Sequence, residues 1–216
     1  MTKAFTDEES TSARRVVLMD YGVGNLGSVA GALRRLGYRV RASADPIDFE
    51  AADAVVLPGV GAMPAAMQTL RQTSLDAVIT RLYHEQRVPI LGICLGTQLM
   101  FQHSDEGDVG CLGLLKGRVR RFSNGSCHVG WSQCPVPAGA EGESIEAALY
   151  FNHSYFIDAD PSVVTSEVTV EGHGKVAAIV QSGCFVGMQF HPEKSQATGA
   201  ALLRRFIENT SEAPHA

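Results

Sequence analysis

The residues best suited to covalent chemistry cluster at two places in the chain. The first is Cys94. It ends the apolar run Val88-Pro89-Ile90-Leu91, stands between Gly92 and Gly96, and is followed by a helical pattern over Thr97–His103. Strand, sharp turn and helix with a nucleophile at the corner is the nucleophile-elbow arrangement, with Cys in place of Ser. The turn residue there is held in strained geometry, and side chains two positions away on either side would collide. A cysteine at a helix N-terminus gains from the dipole and free N–H groups, which favour the thiolate. The N–H of Leu95 is placed to stabilise an oxyanion. Taken alone, the motif is short, and free cysteines are commonly core filler.

The second place is Phe190-His191-Pro192-Glu193-Lys194. A cysteine nucleophile needs a base and a group that orients the base. In extended backbone His191 and Glu193 share a face, so Glu193 can hold one ring nitrogen while the other faces a thiol. None of His84, His103, His128, His153 and His173 stands in a His-x-Glu pair, which makes them weaker candidates. Gln98 lies one helical turn after Cys94 and can project beside it to bind an amide or amino-acid group. In Pro58-Gly59-Val60-Gly61, two glycines free the backbone to turn N–H groups toward a ligand.

The elements that must position these residues alternate in the first half. Strands are expected at Arg15–Asp20, Tyr38–Ala42, Asp53–Leu57 and the elbow run, with helices at Leu26–Leu36 (ended by Gly37), Ala65–Leu70 and Leu75–Gln86. This order implies a parallel sheet covered on both faces, with its site at the C-terminal strand ends. The loop at Pro58 and Cys94 both fall there. The turn Tyr21-Gly22-Val23-Gly24-Asn25 lacks the third glycine of a dinucleotide fingerprint. The second half reads as strands at Arg118–Phe122, Tyr150–Ile157, Val163–Val170, Lys175–Gln181 and Cys184–Phe190, with a hairpin turn at Gln181–Cys184. These suggest an antiparallel part, closed by a helix over Ala197–Ile207.

With 216 residues, 45% of them hydrophobic, and mean hydropathy +0.02, one globular domain over 14–210 is expected, with 1–13 a polar, disordered tail. A net charge of -5 argues against a nucleic-acid-binding surface. No segment is apolar enough for a signal peptide or a membrane span, so cytoplasm is the expected location. Five cysteines with no C-x-x-C argue against a disulfide framework, and Cys127-His128 with Cys134 matches no zinc spacing. No cofactor or metal is expected.

Gly92-Ile93-Cys94-Leu95-Gly96-Thr97-Gln98 with Gln189-Phe190-His191-Pro192-Glu193 resembles the class I (triad) glutamine amidotransferases. Further stretches are similar to the branch of glutaminase subunits that serve imidazole glycerol phosphate synthase. These include Asp20–Leu26, Leu57–Ala62, His128-Val129-Gly130-Trp131, His153-Ser154-Tyr155 and Gly187–Ser195. The resemblance implies a three-layer, flavodoxin-like α/β fold, its central sheet mostly parallel with helices on both faces and an added antiparallel part. It implies a Cys94-His191-Glu193 triad that hydrolyses glutamine, an oxyanion hole from the N–H groups of Val60 and Leu95, and glutamine binding by Gly61, Gln98, Ser154 and Tyr155. It also implies a heterodimer with a (β/α)8-barrel cyclase subunit, which takes the ammonia and makes imidazole glycerol phosphate and AICAR in histidine biosynthesis. Asn25, Trp131, Tyr150 and Lys194 match positions at that interface. Thr97, Cys127, Ser132 and Asn152 depart from the pattern, which leaves open a glutaminase serving a different synthase. A cysteine hydrolase with the same elbow and a non-catalytic interaction subunit of the same fold are rival readings of these motifs.

Overall fold

The computed structural model describes residues 13–85, 88–123, 125–138 and 143–209. Most of the expected tail, residues 1–12, and Gln86 at the end of an expected helix lie outside the described residues.

The first half alternates strand and helix as its pattern requires. It runs β1 (Arg15–Met19), α1 (Leu26–Arg35), β2 (Arg39–Ser43), α2 (Pro46–Glu50), β3 (Ala54–Leu57), α3 (Met63–Gln72), α4 (Leu75–Glu85) and β4 (Ile90–Ile93). After the one-turn helix α5 (Leu95–Gln98) come β5 (His103–Ser104), β6 (Val109–Gly110), β7 (Gly117–Arg121), β8 (His128–Pro137), β9 (Ser144–His153), β10 (Tyr155–Ala159), β11 (Val164–Val170), β12 (Gly174–Ser182), β13 (Phe185–Met188) and α6 (Gln196–Asn209). The main sheet has seven strands in the order β11-β12-β13-β4-β3-β1-β2. From β2 to β13 every pairing is parallel, while β12 and β11 add antiparallel at one edge. The parallel part follows the flavodoxin-like order.

Strand residues alternate between two cores, as a period of two demands. Val16 and Leu18 of β1 face a cluster with Val29 and Leu33 of α1 and Leu203 and Phe206 of α6. Val17 and Met19 face the other, with Met63 and Met67 of α3 and Ile79 and Leu82 of α4. The sheet is thus the middle of three layers. A second sheet, β10-β7-β5-β6, and the two-stranded β8–β9 hairpin flank it.

Several expectations are corrected. The helical pattern at Thr97–His103 becomes the four residues of α5, because the carbonyls of Leu99, Met100 and Phe101 accept from the amides of Leu112, Leu114, Leu115 and Gly113. The helix cannot continue once those acceptors are taken. It supplies one turn of dipole rather than two. The expected strand Tyr150–Ile157 is two strands, broken at Ser154 where the chain leaves the hairpin for the second sheet. The strand expected at Cys184–Phe190 stops at Met188, after a two-residue turn at Gly183-Cys184. The β8 strand was not expected, since Gly130, Pro135 and Pro137 interrupt its pattern; an edge hairpin tolerates them. All five cysteines are free. Among the described residues no helix is long and apolar enough to cross a membrane.

Candidate active site

Three neighbouring strands of the main sheet end at one edge, and each carries one part of the site. Cys94 follows β4. On one side β3, with Leu57 in register with Gly92, leads into Pro58–Gly61. On the other β13, with Met188 in register with Ile93, leads into Gln189–Glu193. Parallel pairing alone therefore brings together segments far apart in sequence.

Cys94 sits at φ 53°, ψ -109°, a conformation that an L residue holds only under constraint. Its N–H donates to the Met188 carbonyl at 2.7 Å. A methyl group added at Gly96 would lie 1.8 Å from the Leu57 carbonyl oxygen, and one at Gly92 2.8 Å from the Thr97 Cα. The elbow closes because both flanking positions lack a side chain. Gly59 is equally tight: its missing Cβ would sit 2.6 Å from the Gly96 nitrogen. That packing seats the Pro58–Gly61 loop directly on the elbow. From below, the buried Tyr21 hydroxyl donates to the Pro58 carbonyl at 2.5 Å, and burial pushes the Tyr21 pKa up, the Cys94 charge adding to it.

His191 and Glu193 have side chains only 2% exposed, with His191 Nδ1 at 3.0 Å from Glu193 Oε1. Among the described residues, the buried side-chain nitrogen and oxygen atoms without a hydrogen-bond partner are His191 Nε2 and Glu193 Oε2. Burial would depress the His191 pKa, but the side chain and charge of Cys94, then those of Glu193, outweigh it and carry the value up to about 9. Cys94 thus acts on His191 without a fully formed hydrogen bond to Nε2, as in triads that tighten only around substrate. A protonated His191 ring is the state this environment favours.

A cavity of about 200 Å³ opens beside the sulfur. Val60, Gly61, Leu95, Gln98, Glu106, Asn152, His153, Ser154 and Tyr155 line it with Cys94. The residues expected to bind glutamine or form the oxyanion hole (Gly61, Gln98, Ser154, Tyr155, Val60 and Leu95) therefore share one pocket with the nucleophile. Gln98 is not a free arm, however. It is 4% exposed, and its Nε2 donates to the Tyr155 carbonyl at 2.9 Å and to Gln189 Oε1 at 3.0 Å. Gln189, fully buried, in turn points its Nε2 at Cys94 Sγ, 3.7 Å away. Sequence reasoning missed Gln189 as a site residue; its signal was a polar side chain between Met188 and Phe190, at the end of an apolar strand.

The four residues expected at an interface are not part of the cavity lining. Asn25 caps α1, accepting from the Ser28 N–H at 3.2 Å. Trp131 is 49% exposed, stands edge-on to Tyr150 at 5.9 Å, and the Lys194 ammonium lies 5.4 Å over the Tyr150 ring. Backbone bonds tie Tyr150 to the base. The His191 N–H donates to the Tyr150 carbonyl at 2.9 Å. The Tyr150 N–H donates to Ser195 Oγ at 3.0 Å, and that hydroxyl donates to the His191 carbonyl at 2.7 Å. No cluster of three or more His, Cys, Asp or Glu that could hold a metal occurs among the described residues.

Residues 17–210 match the family model for glutamine amidotransferase class-I, and the chain belongs to that family. Its similarity to particular members is strong. Imidazole glycerol phosphate synthase subunit HisH of Xylella fastidiosa (strain Temecula1) is 44% identical over 207 residues, covering 89% of this chain and 96% of that protein. The subunit of the same name from Xanthomonas campestris pv. campestris (strain 8004) is 44% identical over 200 residues, with the same coverage. A crystal structure of a glutamine amidotransferase has a TM-score of 0.74 at 19% identity, covering 91% of this chain and 98% of that one. The structure of PurLQS from Thermotoga maritima has a TM-score of 0.70 at 19% identity, covering 91% and 99%. The two structures share the fold.

Proposed function

We infer that the chain is the glutamine amidotransferase subunit of imidazole glycerol phosphate synthase, and that residues 14–210 work as one catalytic unit. The observation that carries the chemistry is the buried His191, held at Nδ1 by Glu193 while Nε2 is left to Cys94. Cys94 Sγ attacks the side-chain amide carbon of glutamine, and the N–H groups of Leu95 and Val60 receive the oxyanion. His191 Nε2–H gives its proton to the leaving nitrogen, so ammonia departs and a thioester remains. The same nitrogen, now bare, takes a proton from water as the water attacks the thioester. Collapse of that second tetrahedral intermediate releases glutamate and returns the Cys94 thiolate beside the His191 imidazolium. Gly61, Gln98, Ser154 and Tyr155 hold the substrate. Each oxyanion donor contributes about 3–4 kcal/mol in such sites.

Ammonia passes to a cyclase partner of (β/α)8-barrel fold, which makes imidazole glycerol phosphate and AICAR in histidine biosynthesis. Two observations support this assembly. The HisH relatives are named as subunits of that synthase, and a surface cluster of exposed Trp131 and Lys194 on the half-buried Tyr150 ring stands beside His191. The test is glutamate release from glutamine by the chain alone and mixed with the organism's own cyclase subunit carrying a nucleotide ligand. Strong stimulation that disappears with Cys94→Ala is expected. High activity indifferent to the cyclase would overturn the assignment to this synthase.

A further inference from the structure

Two histidines outside the triad lie against each other in the β8–β9 hairpin. His128 and His153 are in register across the two strands, and each is under 10% exposed. His128 Nδ1 is 3.1 Å from His153 Nε2. The outer nitrogens are occupied as well: His128 Nε2 is 2.7 Å from Ser132 Oγ, and His153 Nδ1 is 2.8 Å from the Tyr155 carbonyl oxygen. Phe151 stacks on the His128 ring at 4.4 Å.

The carbonyl end fixes every proton in this row. A carbonyl only accepts, so His153 Nδ1 carries the hydrogen. In a neutral ring Nε2 is then bare and must accept, which makes His128 Nδ1 the donor. His128 Nε2 is bare in turn and accepts from the Ser132 hydroxyl. Both rings are therefore neutral Nδ1–H tautomers. Burial supports this by lowering the pKa of His128 and bringing that of His153 down to about 4. At its inner end the row meets the substrate pocket. The Tyr155 carbonyl that accepts from His153 also accepts from Gln98, and Gln98 passes on to Gln189 and so to the Cys94 sulfur. His153, Ser154 and Tyr155 all line the cavity beside Cys94.

We propose that Ser132, His128 and His153 are positioning residues for the amidotransferase reaction: a one-way hydrogen-bond chain from the hairpin that sets the Tyr155 carbonyl, and through it the Gln98 side of the glutamine pocket. The proposal rests on the glutaminase reading above. It explains why Ser154–Tyr155, at a break between two strands, forms a defined wall: the His153 ring braces the carbonyl that follows the break. It also gives Ser132 a function beyond the surface. Its hydroxyl proton is committed inward, one residue from the exposed Trp131.

Two measurements on the full chain test it. Long-range nitrogen–proton correlation spectra at neutral pH should place both His128 and His153 in the Nδ1–H tautomer; an Nε2–H tautomer on either ring overturns the chain. The second measurement is the glutamine concentration that half-protects Cys94 from iodoacetamide. It should rise about fivefold in Ser132→Ala, the effect of losing one hydrogen bond in a buried network. It should return toward the wild-type value in Ser132→Thr, while the thermal midpoint stays unchanged. Unaltered protection in Ser132→Ala, with the wild type protected normally, overturns the positioning role alone. Absence of protection in the wild type overturns the glutaminase reading and the proposal with it.

Discussion

The two walls of the site are held by different physics. On the elbow side Cys94, Gly96 and Gly59 are fixed by lack of space: backbone meets backbone, and a single methyl would overlap the Leu57 carbonyl. On the opposite side, position is set by side-chain hydrogen bonds: within the His191–Glu193 turn, across the break from His153 to Tyr155, and between the paired strands at His128 and His153. Close packing tolerates almost no change and transmits strain. A hydrogen-bonded row tolerates substitution structurally but loses its geometry. The nucleophile is therefore locked, while the base and the substrate wall are adjustable.

Three variants sharpen or break this contrast. The largest effect is expected for Glu193→Gln, which attacks the hydrogen-bonded side and leaves the packing intact. The kcat for glutamine hydrolysis should fall about 10⁴-fold, by analogy with loss of the orienting carboxylate in other triads, with little change in thermal midpoint. Its pH profile gives the sign. His191 must carry a proton to release ammonia, so wild-type activity falls as pH rises through about 9. Without the Glu193 charge that limb should move to lower pH. A variant that loses its fold instead would mean that the base side is as tightly packed as the elbow.

Gly96→Ala attacks the packed side. Its methyl has no room against Leu57, so a loss of about 3 kcal/mol in denaturant unfolding is expected. Wild-type stability would show that the elbow can relax, and the contrast would fail.

The smallest effect concerns pH. His153 titrates at about 4 in the folded chain because burial disfavours its charge, against 6.5 for a free histidine. Between those values the unfolded chain binds the extra proton and the folded chain does not. Stability contributed by the neutral ring is thus complete above pH 6.5 and lost as pH falls toward 4, on the order of 1–3 kcal/mol. His153→Gln should flatten this part of the pH–stability curve.

The same contrast decides what could be read from the sequence. Close packing leaves a local mark, because only glycine fits. Gly92, Cys94 and Gly96 announced the elbow, and the alternating apolar strands announced the parallel sheet. His191 and Glu193 were legible as a pair two positions apart, although the expected extended backbone is corrected: Pro192–Lys194 forms a 3-10 turn, and that turn brings Glu193 back to the ring. The braces were not, since they depend on register between distant strands. His128 meets His153 across 25 positions only because β8 pairs with β9, and β8 was hidden by its glycine and prolines. Gln98 was legible as a site residue, but not its capture by Tyr155 and Gln189. The break at Ser154 was invisible because hydrophobic alternation continues through it.

Tyr150 sits where the two walls meet the outside. Its ring is gripped by Trp131 and Lys194 at the surface, while its peptide groups are stitched to His191 directly and through Ser195. The backbone that carries the proton donor is thus moored to a half-buried surface ring by three hydrogen bonds, independently of the close packing that holds the elbow.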